Sequence, residues 1–127
     1  MLDSCSANTF CHLVDWSHAS HLTSITFANI YPTHYAAEED YIWRVLRKIT
    51  SPHVEEVGIR LKQIYLEYIV VGIDWERIDR ILRQPNYSGL KRFVISNVPA
   101  GIIDEARVCI HGKMPALSDR LVIEGAQ

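Results

Sequence analysis

Five residues near the start of the chain, Cys5, Cys11, His12, His18 and His21, are of the types that ligate metal ions. A structural zinc site needs four such ligands in tetrahedral array, usually delivered as closely spaced pairs such as C-x2-C or H-x3-H. Here five residues separate the cysteines and His12 abuts Cys11, so no familiar zinc arrangement forms. The segment reads as a loop with exposed histidines and ordinary thiols, and no metal is assigned to it. Cys109 and His111, with Asp104 and Glu105 nearby, supply the residue types of a nucleophile and its base. Two positions apart on a helix, however, side chains point to different faces and do not meet. Cys109 is expected instead to serve as a small buried apolar residue.

No G-x-S-x-G elbow, P-loop or dinucleotide-binding glycine series occurs, and none of the six glycines sits in a phosphate-cradling strand-to-helix turn. Trp16, Trp43 and Trp75 are the residue type most enriched in binding hot spots. Trp75 falls on the side of a helix that carries Ile78 and Leu82 and is expected in the core, whereas Trp43 lies beside an apolar stripe and is expected to be partly exposed. Arg44, Arg47 and Lys48 read as the solvated end of a helix rather than a nucleic-acid footprint. No catalytic, cofactor-binding or metal-ligating residue is assigned, and no cofactor is expected.

The elements that position these residues follow from a short recurring pattern. Leu22-x-x-Ile25-x-Phe27, Val54-x-x-Val57-x-Ile59 and Leu90-x-x-Phe93-x-Ile95 each end on two apolar residues two apart, as in a strand with one buried face. A looser copy closes the chain with Leu117 and then Leu121-x-Ile123. Between the copies the period changes to that of a helix. Ile42, Val45, Leu46 and Ile49 form one stripe, opened by Glu38, Glu39 and Asp40 and ended by Ser51-Pro52. A second helix starts at Asp74, a good N-cap, with Trp75, Ile78, Ile81 and Leu82 inward. A third runs from about Ala100 to His111 with Ile103, Ala106 and Ile110 inward, stopped by Gly112 and Pro115. Asp40–Arg44, Glu76–Arg80 and Asp79–Arg83 are spaced as i,i+4 ion pairs. The apolar stretch Lys62 to Ile73 is expected to fold down as an extra strand or a cap on the core, or else to form an adhesive loop for a partner.

The order is therefore strand, helix, strand, helix, strand, helix, strand. Leading residues at 22, 54, 90 and 117 are 32, 36 and 27 positions apart, each enough for one βαβ step. Right-handed crossovers advancing in one direction make the strands parallel and put the helices on one side. The fold class expected is thus an α/β array of leucine-rich-repeat kind, with a parallel sheet of about four strands and helices on one face. Residues 1–127 make one domain, with 1–21 an irregular N-terminal segment.

Composition agrees with a single globular unit. Apolar residues make up 48% of the 127 and charged residues 22%, and the net charge is −2. That balance lacks the basic surplus with which proteins bind duplex DNA or anionic membranes through bulk charge. The start of the chain does not read as a secretory signal, and no apolar run is long enough to span a bilayer. Three cysteines are an odd number, more typical of reduced thiols inside a cell, which makes Asn86-Tyr87-Ser88 a turn rather than a glycosylation site. The expected location is intracellular, cytoplasmic or nuclear.

The stretch VEEVGIRL…IDWERIDRILRQPNYSGLKRFVI, from Val54 to Ile95, resembles the C-terminal leucine-rich-repeat-like region of fungal F-box and F-box-like proteins. The matching residues are Trp75, Ile78, Asp79, Leu82, Pro85, Tyr87, Leu90, Phe93 and Ile95. Asp15-Trp16 followed by SHLTSITF looks like an earlier strand of the array, and MPALSDRLVIEG resembles its closing strand. The likeness extends over about residues 13 to 124. The likeness does not extend to the F-box, since the residues before Leu22 are expected to be too few for that helical module. The resemblance implies a repeat-only or truncated array whose surface recognises another protein without catalysing a reaction, and whose uncapped sheet edge favours self-association. The alternative is a small α/β enzyme with its active site at the C-terminal ends of the strands, marked by a pocket of converging polar groups.

Overall fold

The computed structural model describes residues 21–30, 41–62 and 65–126. Four strands, β1 (Ser24–Ile30), β2 (Glu56–Leu61), β3 (Arg92–Val98) and β4 (Leu121–Gly125), form one sheet in the order β1-β2-β3-β4. Every neighbouring pair is parallel, with Phe27 beside Ile59, Ile59 beside Ile95, and Ile95 beside Ile123. The leading residues Leu22, Val54 and Leu90 stand just ahead of their strands, Val54 and Leu90 buried and Leu22 packed against the core.

The described helices α1 (Tyr41–Lys48), α2 (Leu66–Val71), α3 (Trp75–Ile81) and α4 (Ile103–Lys113) pack against one face of this sheet. Along each strand the residues that join the helices in one core cluster alternate with residues that do not. Ile25 and Phe27, Val57 and Ile59, Phe93 and Ile95, and Leu121 and Ile123 pack with Ile42, Leu46, Ile69, Trp75, Ile78, Ala106 and Ile110. The alternate row, Thr26, Gly58, Val94 and Val122, faces the other way and takes no part in that cluster. Magnitudes say why the helices form. Burying an Ile or Leu side chain contributes about 1.5–3 kcal/mol, whereas a surface i,i+4 ion pair contributes about 0.2–0.5. Ile42, Val45, Leu46 and Ile49 are all buried, so packing dominates α1. Of the expected ion pairs, Arg83–Asp79 forms at 2.7 Å, none joins Glu76 to Arg80, and Asp40 lies outside the described residues, as do Glu38 and Glu39.

Capping follows the sequence reading at α3, where the Arg77 N–H donates to Asp74 Oδ1 at 3.1 Å. Two expectations are corrected. The helix near the C-terminus begins as a 3-10 turn over Ala100–Ile102 and runs past Gly112 to Lys113, because Gly112 keeps its helical place and the chain stops only before Pro115. Ile103 in that helix is half-buried against the core rather than fully inside. The stretch 62–73, expected as an extra strand or a cap on the core, or else an adhesive loop, adds no strand among its described residues; it contains helix α2, which packs onto the core. Leu66, Ile69 and Ile73 recur at helical spacing and turn onto the core, with Ile69 fully buried. The Trp75 indole N–H, 2.9 Å from the Ile69 carbonyl, supplies a donor to the last turn of α2, where carbonyls lack intrahelical partners.

One connection ties distant elements. The 3-10 turn Pro85–Tyr87 lies against the end of α1. The Asn86 amide donates to the Ile49 carbonyl at 3.0 Å, and the buried Tyr87 hydroxyl donates to the Leu46 carbonyl. Both acceptors are at or just beyond the α1 C-terminus, so this turn serves as its cap. The expectation that Asn86-Tyr87-Ser88 forms a turn holds.

Candidate functional site

Among the described residues no helix covers the second face of the sheet, which is built from the strand positions that the core leaves over. Its middle row is Thr26, Gly58, Val94 and Val122, with both valines half-buried. Gly58 makes a close approach there: a Cβ would stand 3.1 Å from Thr26 Oγ1, so a larger residue needs the Thr26 side chain to give way. Charged side chains border this row. Arg92 reaches Glu56 across β2 at 3.0 Å and Glu124 across β4 at 3.7 Å. All three are exposed enough for water to screen them, so the ladder orders the face more than it stabilises the fold.

At the carboxyl ends of β2, β3 and β4 the same face opens into a cleft of about 250 Å³ lined by Arg60, Ser96, Asn97, Glu124 and Gly125. Two irregularities shape this end. β1 carries an extra residue relative to β2 between Phe27 and Ile30, and β3 carries one relative to β4 between Ile95 and Val98. The two bulges fall at matching places in Ala28-Asn29-Ile30 and Ser96-Asn97-Val98. Asn97 adopts a left-handed backbone with φ of 64°, and its amide donates to the Leu61 carbonyl at 2.8 Å. Asparagine tolerates that conformation better than other side chains, because its short amide can bond the backbone locally. A bulge of this kind bends the strand and re-aims its side chains.

Among the described residues, the metal-ligand and nucleophile candidates of the sequence do not form a common site. Of the candidate metal ligands, Cys5, Cys11, His12 and His18 lie outside the described residues, as does Trp16. His21 is exposed, with its ring 6.4 Å from that of His53 in a nearly parallel arrangement. Among the described residues no group of three or more His, Cys, Asp or Glu is placed to hold a metal. Cys109 is half-buried, not buried as expected, because it falls at the margin of the α4 face whose centre is Ala106 and Ile110. Asp104 is paired with Arg107 at 3.2 Å and Glu105 is exposed, so neither acid engages Cys109.

Trp75 is buried in the core as expected, and Trp43 is half-buried. The guanidinium of Arg77 lies 3.8 Å from the centroid of the Trp43 ring, with Arg44 and Arg47 at 5.6 and 5.9 Å. Arg77 on α3 was not singled out by sequence, since it is separated from α1 by two intervening elements.

Comparison of the chain with protein-family models, curated proteins and solved structures finds no match. The site must therefore be read from its own geometry. No helix among the described residues is long and apolar enough to cross a membrane.

Proposed function

We propose that the chain is a non-enzymatic recognition module, similar in kind to the leucine-rich-repeat-like region of fungal F-box-like proteins, and that it meets a partner protein with the helix-free face of its sheet. The observation that carries this reading is the pairing of an all-parallel β1-β2-β3-β4 order with a sheet face that no helix covers among the described residues. Val94 and Val122 offer apolar contact at the centre of that face, and Glu56, Arg60, Arg92 and Glu124 offer charge around it. An apolar centre with a polar rim is the usual anatomy of a protein interface. The odd number of cysteines, a pattern typical of reduced thiols, supports a location inside the cell, in cytoplasm or nucleus.

The test compares affinity capture by the wild-type protein with capture by Val94→Lys and Arg60→Glu variants, using Arg107→Glu on α4 as a helix-side control. Partners lost with the sheet-face variants and kept by the control support the reading. Partners that bind all four proteins equally overturn it.

A second reading is favoured by one observation, the polar cleft at the carboxyl ends of the strands, which is where open α/β enzymes hold their substrates. In that reading Arg60 orients an anionic substrate and Glu124 takes or gives a proton. A turnover abolished by Glu124→Gln, with folding intact, distinguishes it from recognition alone.

A further inference from the structure

A second feature lies on the helical side, in a groove between α1 and α3. Arg47, Arg77, Arg80, Ile81 and Gln84 line this groove, whose volume is about 210 Å³. The Arg77 guanidinium carbon lies over the Trp43 ring, 3.8 Å from its centroid, and Arg47, one helical turn beyond Trp43, stays within 5.9 Å of the same ring. Among the described residues no carboxylate pairs with Arg47, Arg77 or Arg80, whereas Arg83, Arg107 and Arg120 each have one and Arg92 has two. The chain as a whole has 15 acidic residues against 13 Lys and Arg, so acidic partners are not scarce. The carboxylates of α3, Glu76 and Asp79, line a neighbouring groove toward Gly112 and Pro115, which shares Arg80 with this one; Asp79 is committed to Arg83 there, and Glu76 forms no ion pair with Arg80 among the described residues. Like charges gathered from two helices onto one concavity repel one another until an anion enters.

We propose that this groove is a binding site for a phosphoryl group. Each guanidinium is a planar fork of N–H donors that matches phosphate or carboxylate oxygens. Three forks exceed what a carboxylate can use, since it offers two oxygens in one plane and a single negative charge. A phosphate monoester offers three terminal oxygens arranged tetrahedrally and about −1.5 to −2 charges at neutral pH. Stacking on the indole restrains Arg77 before the ligand arrives, which lowers the entropy lost on binding. The Gln84 amide at the same groove adds a neutral donor. This site is formed by helices rather than strands, so it goes beyond the recognition reading and does not depend on it. The phosphoryl group could be carried by a phosphorylated protein side chain or be free inorganic phosphate, and the test separates the two.

The experiment titrates the full chain at constant ionic strength with inorganic phosphate, with a short phosphoserine peptide and with the unphosphorylated parent peptide, following the arginine Nε–H resonances by NMR. Saturable shifts at Arg47, Arg77 and Arg80 are expected, with binding weakened roughly tenfold in Arg77→Gln or Arg80→Gln, as for the loss of one charge-assisted contact. Arg107→Gln should leave the affinity unchanged. Tighter binding of the phosphopeptide than of phosphate assigns the group to a protein side chain, and equal binding assigns it to the free ion; both support the site. Absence of saturation with either phosphorylated probe, or equal binding of the unphosphorylated peptide, overturns it. So does preferential binding of a single-stranded oligonucleotide that survives Arg77→Gln, because a diffuse basic surface would then account for the charge.

Discussion

The hydroxyl of Tyr87 donates its proton to the backbone carbonyl of Leu46, 41 residues earlier in the chain. Both groups are buried, and the contact fixes the turn before β3 against the end of α1. Replacing Tyr87 with Phe leaves the Leu46 carbonyl without this donor in an interior that water does not reach. Tyr87→Phe should cost about 1–3 kcal/mol of stability, read as a lower urea midpoint with an unchanged slope. A variant as stable as wild type would show that the bond contributes nothing net.

The same residue gives the protein an alkaline limit. Burial pushes the Tyr87 phenol above its ordinary value, and a side-chain hydrogen bond with Asn86 only partly opposes this. The folded state thus holds the proton more tightly than the unfolded chain, whose tyrosines titrate near 10. The contribution is fully present below about pH 10 and declines as pH rises from there toward the higher folded value. Comparing urea midpoints at about pH 9 and about pH 11 should show a larger drop for wild type than for Tyr87→Phe. Equal drops would exclude Tyr87 as the group responsible.

Asn97 separates backbone strain from hydrogen bonding. Glycine at this position removes the amide donor to Leu61 but accepts the left-handed φ freely, whereas alanine loses the bond and strains the backbone as well. The expected order of stability is wild type, then Asn97→Gly, then Asn97→Ala, with about 1–2 kcal/mol between the last two. Thermal unfolding of the three proteins checks it, and the reverse order of the two variants would falsify the account.

Trp75→Phe keeps a large ring in the core but removes the indole N–H that reaches Ile69. Losing a buried hydrogen bond of this kind costs about 1–3 kcal/mol. The loss should also be local: amides of α2 should exchange with solvent faster than those of the β2–β3 pair, relative to wild type. Uniform acceleration across both elements would mean that global destabilisation, not the cap on α2, is what the indole provides.

Among the described residues β1 pairs only with β2 and β4 only with β3. An unpaired edge is a template for another chain. Size-exclusion chromatography over a range of concentrations should therefore show association that grows with protein concentration. A monodisperse monomer at every concentration would mean that the edges are protected.

The elements of this fold were written in local patterns. Apolar residues two apart in SITF, EVGI and RFVI placed the strands, and the stripe of Ile42, Val45, Leu46 and Ile49 placed α1, because one-sided burial demands those periods. Asp74 announced the start of α3 for an equally local reason, since its side chain caps a backbone N–H three residues on. The stretch from 62 to 73 escaped this reading. Its apolar residues fit a strand as well as a helix, and only the docking of Trp75 onto Ile69 and of Ile69 into the core selects the helix. The proposed binding surfaces were hidden for the same reason in stronger form. Arg47 looked like the solvated end of one helix until α3 brought Arg77 and Arg80 to the same groove. The cleft of Arg60, Ser96, Asn97 and Glu124 likewise draws on three strands far apart in the chain. Period and capping depend on neighbours a few residues away and can be read from sequence. Which side chains converge depends on strand order and helix packing, and those are settled only when the whole core closes.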